Sequence, residues 1–276
     1  MELLTLNIPY SVKDKYSNIS LPRYLSEDLA EFVGIIIGDG HLNYEVREKS
    51  RFYSVTISCN FTEDMEYFKN IINPLFEELF NANMSIIKSK NWNYFNAVKC
   101  SKSIVNFLNF NFLIPIGNKT SNIEIPRAIM SSNSSIKAAF IRGLVDTDFS
   151  LSFKKRKWFH SYPTIKCSLK SKNIICQLNN VLTEFGFKTS LALNERNYDK
   201  RFNIHYERHS IYLSGKKNLE KWISLIGFNN PRLLSKYLIW KTFGFCPPNT
   251  TLKQRKQMLA GKVELDPHNK NAPGRI

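Results

Sequence analysis

The feature that most limits how this chain can fold is an internal repeat. An apolar stretch, EFVGIIIGDGHL at residues 31–42, recurs as AFIRGLVDTDFSL at residues 139–151. One constant separation matches Gly34 with Gly143 and Asp39 with Asp148. Further along, YSVTISCN resembles YPTIKCSL. Self-similarity over such a distance indicates two copies of one structural unit.

Each copy predicts the same order of elements. The apolar stretch is helical, and the residues after it alternate between polar and apolar side chains, as in half-exposed strands. In the first strand Leu42, Tyr44 and Val46 form the apolar set and are expected to face the core. A helix, two more strands and a closing helix follow, with the later strands predicted at residues 84–90, 94–100, 187–194 and 204–214. The prediction is an α+β fold of tandem αββαββα units, with two antiparallel four-stranded sheets that form a saddle around a central two-helix interface.

Polar residues before the helices predict where those helices begin. Ser26 precedes the first motif helix, and Ser134 and Ser135 precede the second. Thr62 and Ser171 stand at matching places before the middle helices. Such residues are preferred as helix N-caps.

Proline and polar clusters suggest the domain boundaries. Residues 1–122 are predicted as the N-terminal half and residues 136–246 as the C-terminal half, joined by a Pro- and Ser-containing linker at residues 123–135. Residues 247–276 form a basic tail, expected to be a surface helix or partly disordered.

The net charge indicates the kind of partner. The chain has 39 Lys and Arg against 23 Asp and Glu, a formal charge of +16, which suits nucleic acid before a membrane surface. No apolar stretch approaches the roughly 18 residues of a membrane span, and the N-terminal residues lack the pattern of a signal peptide. Five scattered cysteines predict free thiols in a reducing compartment, cytoplasmic or organellar.

Small residues on the motif helices predict how the two copies meet. Gly34 and Gly38 are one turn apart, as are Gly143 and Thr147, and small residues at this spacing let helix backbones approach closely. The acids that end the helices would then lie side by side. A carboxylate at a helix C-terminus is unfavourable without a compensating cation, and metal-assisted phosphodiester hydrolysis uses paired acids in this way. The alternative is that Gly-Asp-Gly only ends a helix.

The two motifs, FVGIIIGDG and IRGLVDTDF, resemble those of monomeric, two-motif LAGLIDADG homing endonucleases, and the similarity extends over roughly residues 20–245. The resemblance implies cleavage of both strands of a long, asymmetric DNA site, leaving 3′ overhangs. It implies two or three Mg²⁺ ions, with Mn²⁺ or Ca²⁺ as substitutes, held by Asp39 and Asp148 and by the residues before them, Gly38 and Thr147. The chain departs from the family pattern where Ile37 replaces the first motif acid and Phe149 replaces a glycine.

The resemblance also implies a basic residue in the loop after each sheet. Lys119 takes this place in the first copy, and either Arg232 or Lys236 takes it in the second. Their role would be to stabilise phosphate charge or to orient water. The alternative is that each is a solvated loop charge.

The polar sides of the strands are predicted to contact DNA, because a two-stranded antiparallel ribbon fits the major groove. Many of these side chains would contact phosphates and set position without reading sequence. The predicted DNA-contacting residues are Asn43, Arg47, Lys49, Thr56, Ser58, Asn60, Lys88, Lys90, Lys99, Ser152, Lys154, Arg156, Thr164, Lys166, Ser168, Arg196, Arg201 and Arg208.

Two functions follow from these observations. The first is a metal-dependent, site-specific double-strand DNA endonuclease. The alternative is a non-cleaving nucleic-acid binder on the same scaffold, such as an intron RNA maturase. Retention of both motif acids favours the nuclease, because a pure binder has no use for paired carboxylates that face phosphates.

Overall fold

The structure is a computed structural model that describes residues 3–4, 7–48, 50–119, 123–156, 158–199 and 203–263. Within the first half the elements are α1 (Val12–Tyr16), α2 (Glu27–Gly38), β1 (Gly40–Arg47), β2 (Ser50–Asn60), α3 (Met65–Tyr67), a π-helical turn (Phe68–Ile72), α4 (Asn73–Phe80), β3 (Ser85–Lys88), β4 (Tyr94–Cys100) and α5 (Lys102–Phe112). After them come α6 (Arg127–Met130), α7 (Ser134–Asp148), β5 (Phe149–Arg156), β6 (Phe159–Leu169), α8 (Lys172–Glu184), β7 (Thr189–Asp199), β8 (Ile204–Ser214), α9 (Lys216–Leu225), α10 (Pro231–Phe243) and α11 (Leu252–Leu259).

The predicted duplication is confirmed at the level of topology. The first sheet has the strand order β1-β2-β4-β3 and the second has the order β5-β6-β8-β7. All pairings between neighbouring strands are antiparallel. Each copy therefore forms the αββαββα unit, with equivalent strands at equivalent places.

The central helices α2 and α7 contact each other through the two glycines of the repeat. A Cβ added at Gly34 would lie 2.2 Å from the carbonyl oxygen of Phe140, and one added at Gly143 would lie 2.0 Å from that of Glu31. The repeat aligns Glu31 with Phe140, so the two contacts are reciprocal. This reciprocity is what a pseudo-two-fold axis between the copies produces.

Two of the predicted helix caps are confirmed. The Ser26 side chain accepts a hydrogen bond from the Leu29 amide at 3.1 Å, and the Ser171 side chain accepts one from Ile174 at 3.3 Å.

The other two cap predictions are corrected. Asn133, one residue before the predicted serines, caps α7 by accepting from the Ile136 amide at 3.0 Å. Thr62 caps no helix, because the Asn60 side chain accepts from the Thr62 and Glu63 amides and forms a turn there. The helix begins only at Met65.

The apolar side of the first sheet packs on the helices, but only near the centre of the molecule. Leu42 on β1 is 1% exposed, whereas Tyr44 and Val46, further along the same face, are 40% and 58% exposed. The expectation that all three lie in the core is therefore corrected. The β1–β2 hairpin extends past the helices that cover its base.

Strand β7 continues beyond the predicted end at residue 194. The pairing with β8 shifts between Ala192 and Glu195, and Asn194 lies between them with a φ of 57°. A bulge of this kind absorbs an extra residue and lets pairing resume, so β7 reaches Asp199.

The basic tail contains a packed helix in its described part. In α11, Leu252, Arg255 and Met258 are buried, and the helix contacts α10 and the turn after β2. The Arg255 guanidinium donates to Ser235 Oγ at 2.9 Å and to Glu63 Oε2 at 3.1 Å. Residues 264–276, the rest of the predicted tail, lie outside the described residues.

No helix among the described residues is long and apolar enough to span a membrane. All five cysteines are free thiols. Cys59, Cys167 and Cys246 are buried, whereas Cys100 is exposed.

Candidate active site and nucleic-acid interface

The two motif acids stand where the central helices end. Asp39 is the C-cap residue of α2, and Asp148 is the last residue of α7. A Cβ added at Gly38 would lie 3.3 Å from the Asp148 Oδ2 atom, so the second acid lies against the end of the first helix. Because β1 and β5 start directly after these acids, both carboxyl groups lie at the inner ends of the two sheets.

Burial and mutual repulsion make the ionised form of both acids costly. Burial, and next the nearby Asp39 carboxylate, raise the pKa of Asp148 to about 7. The pKa of Asp39 is also raised, first by burial and then by Asp64. The cations Lys119 and Arg232 act in the opposite direction on both acids. Two acids and two cations therefore share one electrostatic site.

Lys119 is held at the end of α2. The loop after α5 pairs with β1 through a bridge between Ile116 and Leu42, and the Gly117 amide donates to Leu42 O at 2.7 Å. From there the Lys119 ammonium donates to Ile37 O at 2.7 Å and to Gly38 O. Burial lowers the pKa of Lys119, and both motif acids oppose this effect.

Arg232 takes the equivalent place at the end of α7. Its Nη2 atom donates to the carbonyl oxygens of Asp146 and Thr147, at 3.4 Å in each case. Lys236 lies elsewhere, with its Nζ atom 3.1 Å from Leu151 O on β5. The structure thus distinguishes the two residues between which the sequence could not choose, and it brings Arg232 to the acids.

Asp146, the first acid of the second motif, supports the segment that carries Arg232. Its Oδ2 atom accepts from the Asn229 amide at 2.8 Å, and its main-chain oxygen accepts from the Asn230 side chain at 2.9 Å. The side chain is fully buried, and burial raises its pKa well above the usual range. In the first copy Ile37 occupies this position and is buried among apolar groups.

Asp64 is a site residue that the sequence analysis missed. It lies in the turn after β2 and is 7% exposed. Its Oδ1 atom is 3.6 Å from Arg232 Nε, and its charge helps to raise the pKa of Asp39. An acid near the start of a helix is ordinary, so only the comparison of the two copies, where Asn173 stands in its place, gave a signal.

The two neighbouring carboxylates repel each other, and a hard divalent cation bound between them would offset this repulsion. No group of three or more His, Cys, Asp or Glu side chains within the described residues could enclose a metal. Mg²⁺ needs no such group, because one or two carboxylates plus water and substrate phosphates complete its shell. The main-chain oxygens of Gly38 and Thr147 accept from Lys119 and Arg232, so carboxylate ligation by Asp39 and Asp148 fits best.

Each sheet has one face that no helix of the described residues covers, here called the open face. In the first sheet, pairing places Asn43 opposite Ser54 and Ser58 opposite Asn96, all on this face. Thr56 and Asn60 share it by alternation. The Ser58 hydroxyl donates to Asn96 at 2.9 Å. By strand alternation, the backbone position of Arg47 belongs to the same face. Lys49 lies outside the described residues.

The open face of the second sheet is more basic. Ser152, Lys154, Lys166, Ser168 and Arg208 lie on it in matching register. Arg156 shares this face and stacks over the Tyr162 ring at 3.8 Å. Thr164 is in phase with these residues but is 2% exposed, with its hydroxyl 3.2 Å from Ser214 Oγ. Arg201 lies outside the described residues.

The strand pairing places three of the predicted DNA-contacting residues away from the open faces. Lys99 is opposite Val55, and Lys88 is opposite Phe95, which places both on the helix-covered side of the first sheet. The Lys88 ammonium lies over the Phe61 ring instead. The bulge in β7 moves Arg196 to the other face of the sheet from the one that simple alternation predicts. Arg196 is therefore on the side opposite Arg208. Lys90 is an exposed residue in the β3–β4 connection.

Aromatic side chains on the open faces were also missed. They are apolar by residue type, and the alternation analysis therefore assigned no aromatic residue to the polar side. Their cross-strand partners give their true phase, since directly opposed residues share a face. The aromatic residues on the open faces are Phe52, Tyr94, Phe159, Tyr162, Tyr206 and Tyr212.

Two curated relatives match this chain over a small part of their own length. A glutamine–fructose-6-phosphate aminotransferase of Methanocaldococcus jannaschii is 27% identical over 217 residues, which are 77% of this chain and 17% of that protein. A replication factor C small subunit of the same organism is 29% identical over 231 residues, 80% of this chain and 11% of that protein. The chain therefore spans less than a fifth of either relative.

Solved structures share the fold. The chain is similar to the homing endonuclease I-DmoI in complex with DNA and Mn, with a TM-score of 0.52 and 20% sequence identity. The match includes 74% of this chain and 98% of the I-DmoI chain. A lysine-to-alanine variant of I-SmaMI covers 80% of this chain and 90% of its own, with a TM-score of 0.52 and 12% identity. Residues 135–227 match the LAGLIDADG-like domain family. The resemblance is thus confirmed: residues 135–227 are a LAGLIDADG-like domain, and the chain shares the fold of I-DmoI and I-SmaMI.

Proposed function

We propose that the chain is a site-specific DNA endonuclease that hydrolyses both strands of a duplex with the help of divalent metal ions. The observation that carries this proposal is the meeting of Asp39, Asp148, Lys119 and Arg232 at the inner ends of two sheets with polar open faces. I-DmoI has been solved in complex with DNA and Mn, which supports the same use of this fold.

The acids and the cations of the site would have different roles. Asp39 and Asp148 would hold Mg²⁺, which supplies Lewis-acid activation of the scissile phosphate and of water when it is bound. Lys119 and Arg232 lie at the two helix ends, where their charge opposes that of the acids. The same charge would stabilise the extra negative charge that phosphate acquires in the transition state.

The two sheets would set the position and the sequence of the site. The open face of the first sheet carries mainly hydroxyl and amide side chains, and that of the second carries Lys154, Lys166 and Arg208. Because the two faces differ, the proposed target is asymmetric although the scaffold is pseudo-symmetric. We propose that one monomer spans this target and leaves 3′ overhangs.

Selection from a randomised duplex library tests the function. Duplexes bound in Ca²⁺ are recovered and then exposed to Mg²⁺, and the ends of the products are sequenced. The unmodified chain is expected to cut both strands. Asp39→Asn and Asp148→Asn are expected to bind with unchanged affinity and to lose cleavage of at least one strand.

A matched control is Asp28→Asn, at an exposed position in the first turn of α2. It is expected to cut like the unmodified chain. Binding without cleavage by the unmodified chain would instead favour the non-cleaving binder, and an assay with intron RNA would then test for a maturase.

A further inference from the structure

Asp64 connects the first copy to the second at the candidate active site. Its Oδ2 atom accepts from the Asn60 amide at 3.1 Å, within its own turn. Its Oδ1 atom accepts from the Asn230 side chain at 3.1 Å and lies 3.6 Å from Arg232 Nε. A nearly buried carboxylate of one copy thus hydrogen-bonds Asn230 of the other copy and forms an ion pair with Arg232, two residues further along the chain.

In the part of the second copy that the structure describes, there is no equivalent arrangement. The alignment that matches Thr62 with Ser171 places Asn173 where the first copy has Asp64. Asn173 is exposed and donates to Glu124 at 2.8 Å. Lys119, the counterpart of Arg232, is held by main-chain oxygens of α2. Arg232 likewise donates to main-chain oxygens of α7, and it differs from Lys119 in having the Asp64 carboxylate beside it.

The contacts of Asp64 argue for positioning rather than for chemistry. Both of its oxygens accept hydrogen bonds from the protein. Arg232, by contrast, keeps 28% of its side chain exposed. A guanidinium presents its donors in a rigid fork, so a carboxylate on one edge determines where the other edge points. Small displacements of a charge-stabilising group have large effects on rate.

We propose that Asp64 is a positioning residue that aims Arg232 at the scissile phosphate beside the end of α7. The inference rests on the proposed endonuclease function and extends it. One strand then depends on Asp64 for its hydrolysis, and the strand cut beside Lys119 does not. Hydrolysis of the two DNA strands would thereby differ in its dependence on a contact that crosses between the copies.

Strand-resolved cleavage tests this inference. A duplex recovered by the selection above is labelled on each strand in turn, and single-turnover rates are measured on denaturing gels. Asp64→Asn is expected to slow one strand by about tenfold or more while the other stays within about threefold. Binding affinity in Ca²⁺ should stay unchanged, and Asp64→Glu should recover part of the lost rate.

Two further variants separate positioning from a general structural role. Arg232→Ala should slow the same strand as Asp64→Asn, and the double variant should add little, since the two residues act as one unit. Asn173→Ala, at the equivalent position of the second copy, should leave the ratio of strand rates unchanged. Melting temperatures of all variants check their folding.

The outcomes are distinguishable. Equal slowing of both strands, no slowing, or a fully additive double variant would overturn the role of Asp64 while the endonuclease function stands. If Asp64→Asn does not fold, Asp64→Glu and Arg232→Ala must still slow one and the same strand. Failure of the unmodified chain to cut either strand would overturn the endonuclease proposal together with this inference.

Discussion

Gly34 of α2 and Gly143 of α7 face each other's helix backbone so closely that neither position has room for a methyl group. The added Cβ atoms would lie 2.2 Å and 2.0 Å from carbonyl oxygens of the facing helix. Because the obstacle is backbone, it cannot rotate away. This contact brings the two motif acids together.

Alanine at either glycine is expected to destabilise the chain. Gly34→Ala or Gly143→Ala would force the helices apart and lower the free energy of unfolding by about 1–3 kcal/mol or more. Urea denaturation measures the change. Ser134→Ala, at an exposed position at the start of α7, serves as the control and should change stability far less. Equal stability of the glycine variants and the control would contradict the close packing.

Asp148→Asn is expected to remove a pH-dependent loss of stability. The pKa of Asp148 is about 7 in the folded chain and about 3.9 in an unfolded one. The folded state thus keeps a proton that the unfolded state releases, and the stability from this proton is lost as pH rises from about 4 through 7. With a chelator present, the melting temperature should fall less between pH 5 and pH 8 in Asp148→Asn than in the unmodified chain. Asp28→Asn should retain the full fall.

Arg255 is expected to stabilise the C-terminal helix far more than its neighbour does. Arg255→Met leaves Glu63 without its buried partner, and we expect a loss of about 3 kcal/mol in unfolding free energy. Lys256→Ala removes a half-exposed pair with Glu66, which should cost less than about 1 kcal/mol. Thermal denaturation of both variants provides the comparison. Similar losses would show that burial of Arg255 contributes little.

Arg232 and Lys236 are expected to differ in their effect on cleavage. Arg232→Ala removes a charge at the α7 end and should slow the strand cut there by about 100-fold. Lys236→Met leaves that charge in place, because Lys236 contacts Leu151 O, and should slow cleavage by less than about tenfold. Single-turnover rates decide between them. The reverse order would place Lys236 at the phosphate.

Lys154 and Lys99 provide a matched test of the open face. Lys154 is on the open face and Lys99 is on the opposite side of its sheet. If Lys154 contacts a phosphate, Lys154→Ala should reduce the slope of log Kd against log salt concentration by roughly 0.9. Lys99→Ala should leave the slope unchanged. Fluorescence anisotropy in Ca²⁺ measures both, and an equal effect would contradict the assignment of faces.

Much of the fold could be predicted because its signals are local. Alternation of side chains is a property of a strand itself, and the repeat supplied an independent second reading of every element. The small residues at Gly34 and Gly143 predicted the helix contact, since only such residues allow that approach. Asp39 and Asp148 followed directly, because they are next to the helix ends in the chain.

Tertiary contacts decided what the pattern of residues left open. The bulge at Asn194 puts the residues after it on the opposite faces of the sheet from those that alternation predicts. The residue types in this segment do not indicate that a bulge is present. The choice between Arg232 and Lys236 depended on which turn of α10 faces the end of α7. Asp64 belongs to the site because folding brings it near Asp39 and brings Arg232 of the second copy to it. Sequence determined the elements and the acids, since these depend on neighbours in the chain, whereas the structure determined the partners, since these depend on distances between residues far apart in the chain.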